Sequence, residues 1–353
     1  HPKMAPSLLL FHHLSKSGGS TLREWLLRSS GKLSFPPQLD GFVRYYEARC
    51  FLCLQFRAIL PLLRCSKQVL LGCGAAAPRR HSFDSRRAHW ASARLALEFH
   101  AASAEMLLAE VLPHLRALRR EYAAANGSVT LLTILRQPLD YMLSVFRMWP
   151  PRRAAEDRST LAFPQWLAHA QGLQTSQLSV GCSHISHSTG MWSSCACNHS
   201  LHTAWRALQH FDVVGFTCCL PSIFDAIERR MDFKRENDEL RRRRRGKPVG
   251  TAIVPLHLRP RCSDCGPVVL RATRNLSWST LNSSSREQAL AVARCDLQLY
   301  ELAASRAEAA LGIACSLCVR AALRRFASLD VSLNITTPIG IGYPLRTRRF
   351  EIT

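Results

Sequence analysis

The feature that most constrains the fold is a junction near the start of the chain. A short apolar run, Ser7–Leu14 (SLLLFHHL), is followed at once by Ser15-Lys-Ser-Gly-Gly-Ser-Thr21. An amphipathic segment over Thr21–Ser30 comes next, with Leu22, Trp25 and Leu26 on one face. A run apolar at every position suits a strand buried on both faces, whereas alternation would suit a half-exposed one. Further runs of this kind are Gln68–Leu71, Arg94–Phe99 (RLALEF, ending at His100), Val129–Leu135 (VTLLTIL) and Asp212–Phe216 (DVVGF). Helical spacing falls between them. Ala102–Ala125 places Leu107, Leu108, Val111, Leu112, Leu115 and Leu118 inward, and a helix begins at Pro138 and continues over Leu139–Trp149. Trp166–Gln171, His202–Gln209, Pro221–Arg230 and Arg286–Leu311 also read as helices, the last with Leu290, Ala293, Leu297, Tyr300, Leu302 and Ala309 inward. The last thirty residues have no clear assignment. Strands alternating with helices predict an α/β fold, a parallel sheet with helices on both faces.

The junction has chemistry as well as shape. Two glycines let backbone amides approach an anion closely, and the following helix aims its N-terminal N–H groups at the same place. Lys16 adds a point charge, and Ser17, Ser20 and Thr21 add hydroxyls around Gly18 and Gly19. This is not a Walker A loop, because the lysine precedes the glycines. A second segment, Arg136-Gln-Pro138, follows the Val129–Leu135 run, so Arg136 falls at the carboxyl end of a strand, where α/β sheets bind ligands. Ser144 lies two helical turns beyond it. Arginine can hold a phosphate bidentately, and a serine can donate one more bond.

Taken together, the two segments resemble a known family. His13-Leu-Ser-Lys16-Ser-Gly-Gly-Ser-Thr21 is similar to the H-x-P-K-T-G-G-T-T loop of carbohydrate sulfotransferases, and Leu135-Arg136-Gln-Pro138 with Ser144 is similar to their L-R-D-P…S segment. Gly172-Leu-Gln174-Thr175, Phe211-Asp-Val-Val-Gly215-Phe-Thr217 and Cys295-Asp296-x-x-Leu299-Tyr300 resemble later segments of the same family, so the likeness runs from about residue 7 to about 312. It points to the Golgi group that includes the heparan and galactose sulfotransferases. Ser15, Gln137 and Cys218 depart from the family pattern, the last where an acidic residue is usual.

The resemblance implies a P-loop-NTPase-like α/β fold and one catalytic domain over 1–353. Variable substrate loops are expected at 150–200 and 234–270, with a C-terminal extension at 313–353. It implies transfer of a sulfuryl group from PAPS (3′-phosphoadenosine 5′-phosphosulfate) to a carbohydrate hydroxyl, with no metal. Lys16, Ser17, Gly18, Gly19, Ser20 and Thr21 would hold the 5′-phosphosulfate, and Arg136 and Ser144 the 3′-phosphate. Lys16 would also stabilise the leaving group. Such a transfer needs a base for the acceptor hydroxyl. His100, at the end of its strand on the same sheet edge, is the first candidate and Glu98 the second.

Charge and cysteine content bear on partners and compartment. Lys+Arg 47 against Asp+Glu 25 gives a formal net charge of +22, which favours anionic partners, acidic polysaccharide among them. Nucleic acid fits less well: the Arg241–Arg245 run has only Phe233 as an aromatic neighbour, too little for base stacking. Fourteen cysteines include three C-x-x-C pairs, Cys50/Cys53, Cys262/Cys265 and Cys315/Cys318, without the flanks of a zinc finger. His184, His187 and His199 near Cys182, Cys195 and Cys197 could mimic a metal site, but a disulfide-stapled substrate loop is the expected reading. Five of six asparagines begin N-x-[S/T]: Asn126, Asn198, Asn275, Asn282 and Asn334. Sequons and cysteines together predict a secretory compartment, the Golgi lumen by the resemblance. No apolar stretch is long enough to span a membrane, so membrane attachment is expected only through a segment absent from this sequence. The competing reading is a non-catalytic glycan- or polyanion-binding protein on the same fold.

Overall fold

The computed structural model describes residues 5–29, 41–44, 94–100, 107–148, 162–168, 170–182, 184–185, 192–193, 197–231 and 276–327. The predicted strand at 68–71, the Arg241–Arg245 run, Cys50/Cys53, Cys262/Cys265 and the loop 234–270 lie outside them.

The apolar runs form the sheet. Strands β1 (Ser7–His13), β2 (Gly41–Arg44), β3 (Arg94–His100), β4 (Ser128–Leu135) and the later Val213–Phe216 pair in the order β2-β3-β1-β4-Val213–Phe216. Every pairing is parallel. All seven residues of β1 are buried, which suits its apolar stretch Leu8–Phe11, while Ser7, His12 and His13 are buried polar residues at its ends. β1 pairs with β3 on one side and β4 on the other. The chain therefore runs to one side of β1 first and returns to the other, which sets a topological switch point at the carboxyl end of β1.

The helices cover the sheet. α1 (Gly19–Ser29) buries Leu22 and Leu26. The long helix expected over 102–125 has a different local form. Its described part opens as a π turn (Leu107–Val111) and a 3-10 turn (Leu112–His114) before α2 (Leu115–Ala124). Pro113 has no N–H to donate, which breaks the α-helical ladder there, yet all six predicted inward residues are buried. α3 (Pro138–Met148) follows β4 as expected. The single helix predicted at 166–171 is instead two short ones, α4 (Ala162–Leu167) and α5 (Leu173–Gln177). Gly172, at φ +55°, turns the chain between them. A small antiparallel pair, β5 (His184–Ile185) and β6 (Trp192–Ser193), precedes α6 (Cys197–Leu208). The fifth sheet strand is β7 (Val213–Phe216), and α7 (Leu220–Arg230) sets Phe224 against Trp25 of α1 with ring centroids 5.1 Å apart.

The C-terminal part is helical. α8 (Ser283–Leu311) buries Leu290, Ala293, Leu297 and Tyr300, and α9 (Ile313–Ala327) opens the stretch expected as a C-terminal extension at 313–353. Three disulfides bind this pair of helices to the rest of the chain: Cys197–Cys295, Cys218–Cys318 and Cys219–Cys315. No described helix is long and apolar enough to cross a membrane.

Candidate functional site

The loop after β1 and the start of α1 form the floor of the site. Lys16 adopts φ 63° and Gly18 φ +77°, so the chain enters the left-handed region twice within three residues. For lysine that conformation costs on the order of 1–2 kcal/mol, a strain that the surrounding contacts must hold in place. The Gly18 carbonyl accepts from Thr21 and Leu22, which starts the helix. Gly19 has no room for a side chain, since a Cβ there would lie 1.9 Å from the His13 ring. Ser20 and Thr21 are exposed on the first turn of α1, and Lys16 is half-buried. Ser17 is buried, and its Oγ makes no hydrogen bond among the described residues. Ser7 Oγ also makes no hydrogen bond among the described residues, but Ser17 is the one of the two that lies in the lysine loop, within the segment that an anion would approach.

The Arg136 segment meets this loop directly. An Arg136 guanidinium N–H donates to the Lys16 carbonyl at 3.1 Å, across from the end of β1. Burial and the Arg136 charge both push the Lys16 ammonium below its ordinary range, and burial lowers Arg136 as well. Among the described residues no carboxylate comes within ion-pair distance of either cation. The Asp140 charge favours the Arg136 cation at longer range, but neither cation is ion-paired among the described residues, and an anion placed between them would be attracted to both. Ser144 sits half-buried two turns along α3.

The two candidate bases have different fates. His100 closes β3 directly opposite His13 of β1, so its backbone lies at the site edge; its side chain is outside the described residues. Glu98 is fully buried, and its carboxylate is already engaged. Arg23 Nε donates to Oε2 at 2.8 Å and Arg23 Nη2 to Oε1 at 2.6 Å. His13 Nδ1, which must carry its proton to face a carboxylate, donates to Oε1 at 2.5 Å. These bonds outweigh burial and hold Glu98 at about 2. A carboxylate so acidic and so enclosed is a poor proton acceptor for a substrate hydroxyl, and Glu98 instead supports the His13 ring beneath Gly19.

A third element was not singled out for this role from sequence. Both polar atoms of the Gln174 side chain bind the Arg136 backbone: Oε1 accepts from its N–H at 2.9 Å, and Nε2 donates to its carbonyl at 2.8 Å. One turn on, Gln177 Oε1 accepts from Ser15 N–H at 3.1 Å, and its Nε2 donates to Tyr141. Asp296, buried on α8, accepts from the Gln174 and Thr175 backbone N–H groups at 3.0 and 2.8 Å and from Thr175 Oγ1 at 3.0 Å. Burial raises its carboxyl to about 6 despite those bonds. One signal in the sequence could have found it: Asp296 is a charge in the apolar stripe Ala293, Leu297, Tyr300 of a long helix.

The cysteine alternatives are resolved in part. Cys315 and Cys318 pair with the adjacent Cys219 and Cys218, not with one another, and Cys197 pairs with Cys295 and not with the nearby histidines. The sulfurs of Cys218, Cys219 and Cys318 lie within 4.8 Å of one another, a consequence of the two neighbouring bridges. Comparisons with protein-family models, with curated proteins and with solved structures find no match.

Proposed function

We propose that this chain is a PAPS-dependent carbohydrate O-sulfotransferase of the secretory pathway, working in the Golgi lumen. The observation that carries the reading is the Lys16–Arg136 cation pair, without a carboxylate partner among the described residues and set beside the orphaned Ser17 hydroxyl at the carboxyl end of β1. That donor set suits a phosphate-bearing ligand, and the resemblance of both segments to the sulfotransferase loops narrows the ligand to PAPS.

When bound, PAPS supplies the sulfuryl group. Lys16, Ser17, Gly18, Gly19, Ser20 and Thr21 would hold the 5′ end, with the α1 N–H groups directed at it. Arg136 and Ser144 would hold the 3′-phosphate. The Lys16 ammonium offsets negative charge on the departing phosphate, and its fixed backbone saves reorganisation when that charge develops. His100 takes the proton of the acceptor hydroxyl. The acceptor is a carbohydrate, and the excess of Arg favours an acidic one. Three disulfides among the described residues agree with an oxidising compartment.

The test is transfer of labelled sulfate from PAPS to a panel of neutral and sulfated oligosaccharides by the purified protein. Transfer that is lost in Lys16→Ala supports the reading. Glycan binding that survives Lys16→Ala, with no transfer by either protein, would identify a non-catalytic glycan-binding protein instead.

A further inference from the structure

The two segments of the anion site follow neighbouring strands, and the pairing of β1 with β4, which reaches His12 and Thr133, brings them together. Beyond the strand ends, the bonds that tie them among the described residues are one from Arg136 to the Lys16 carbonyl and those made through the five residues of α5. Gln174 brackets the Arg136 peptide from both sides, and Gln177 holds the Ser15 N–H at the start of the lysine loop. A helix this short has little stability of its own, so its position must come from packing and bonding to neighbours. The bond that fixes it comes from a distant part of the chain, where the Asp296 carboxylate gathers the first N–H groups of α5. The next residue back, Cys295, is bridged to Cys197 of α6, and α6 in turn accepts the Ser179 hydroxyl through its Ser200 carbonyl at 2.7 Å.

We infer that α5 is a clasp that sets the anion affinity of the site, with Gln174 as the positioning residue for Arg136 and Asp296 as the anchor that holds the clasp in place. Neither residue touches the anion. Gln174 acts by fixing the peptide from which the guanidinium projects, and Asp296 acts through Gln174. The inference rests on the proposed anion site but not on sulfuryl transfer.

The experiment is calorimetric binding of inorganic pyrophosphate and of 3′-phosphoadenosine 5′-phosphate to the full chain, with thermal unfolding to confirm that each variant is folded. Gln174→Ala is expected to weaken binding of both probes by about tenfold, the scale on which misplacing a binding group acts. Asp296→Asn should do the same. The decisive arm is a double-mutant cycle. If Gln174 works through Arg136, then Gln174→Ala costs nothing further in an Arg136→Ala background, whereas a general loosening of the fold would add its own loss. Folded Gln174→Ala protein that binds as wild type does, or losses that add across the cycle, would overturn the clasp and leave the sulfotransferase reading standing. Wild-type binding of pyrophosphate but not of the nucleotide would defeat the PAPS reading, and the clasp would then be judged on the pyrophosphate arm alone. Wild-type protein that binds neither probe overturns both. Should Asp296→Asn fail to fold, the Gln174 cycle decides.

Discussion

His13 and Glu98 meet at 2.5 Å between neighbouring strands, and the imidazole that Glu98 steadies lies flush against Gly19, where the glycine-rich loop enters α1. The anion loop is thus held from below by an acid–imidazole pair on the sheet and from the side by α5. Arg23, from the second turn of α1, completes the lower support by binding both carboxylate oxygens.

Replacing that acid should change the acid side of the stability curve. The Glu98 carboxyl is held at about 2, below its ordinary 4.5, by bonds from His13 and Arg23. A depressed carboxylate contributes stability that is fully present above the unfolded value and is lost as pH falls from about 4.5 to about 2. Glu98→Gln should therefore be less stable than wild type at pH 7, since it leaves Arg23 without its counter-charge. The gap should narrow by about 2 kcal/mol on acidification to pH 3. Urea unfolding at pH 7, 4.5 and 3 reads this directly, and a gap that does not change with pH would show that Glu98 is not an ion-pair acid.

Lys16 should separate stability from function. Its left-handed backbone and its unmatched charge both work against the folded state. Lys16→Gly removes both, while Lys16→Ala removes only the charge. The glycine variant is expected to be more stable than the alanine one by about 1 kcal/mol, the cost of the left-handed conformation to a residue with a Cβ. For a chain of this size that is a difference of about 1–2 °C in Tm. Both variants should lose sulfate transfer. Equal Tm values would mean that the loop relaxes out of this conformation.

The disulfide pattern is open to a direct check. Digestion without reduction, followed by mass spectrometry, should yield one cross-linked product joining the 218–219 segment to the 315–318 segment, and another joining Cys197 to Cys295. A bridge within 315–318 would contradict the structure. Cys295→Ser should lower stability by about 2–4 kcal/mol, because the bridge closes a long loop in the unfolded chain.

How much of this was legible in the sequence follows from how local each signal is. The buried strands could be read because strands covered on both faces are rich in apolar residues, as in Leu8–Phe11 of β1, Leu95–Leu97 of β3, Leu131–Leu132 of β4 and all of β7. β2 could not: four residues, Gly41–Arg44, are too few to establish a period. Lys16, the glycines and Arg136 stood out because anion chemistry needs those residue types at strand ends. Gln174, Gln177 and Asp296 act through contacts between residues 36 to 162 positions apart, and a spacing rule sees only near neighbours. The role of Glu98 was missed for the same reason. Its partner Arg23 is on a helix, His13 on another strand, and only the fold brings them together. Pro113 had a local signal that could have been used, since proline within a helical pattern announces a break.

The anchoring carboxylate has a consequence for biosynthesis. A chain emerging from the ribosome presents β1, the lysine loop, β4 and Arg136 early, and Asp296 and its neighbouring bridge only near the end. The strands that pair in the sheet are all made before then, but the small helix that aligns the two cationic segments still lacks Asp296. The carboxylate that fastens α5 and the bridge beside it are therefore the last parts of this support to be synthesised. A chain cut short before α8 would keep all five sheet strands and lose the residue that aligns Lys16 with Arg136.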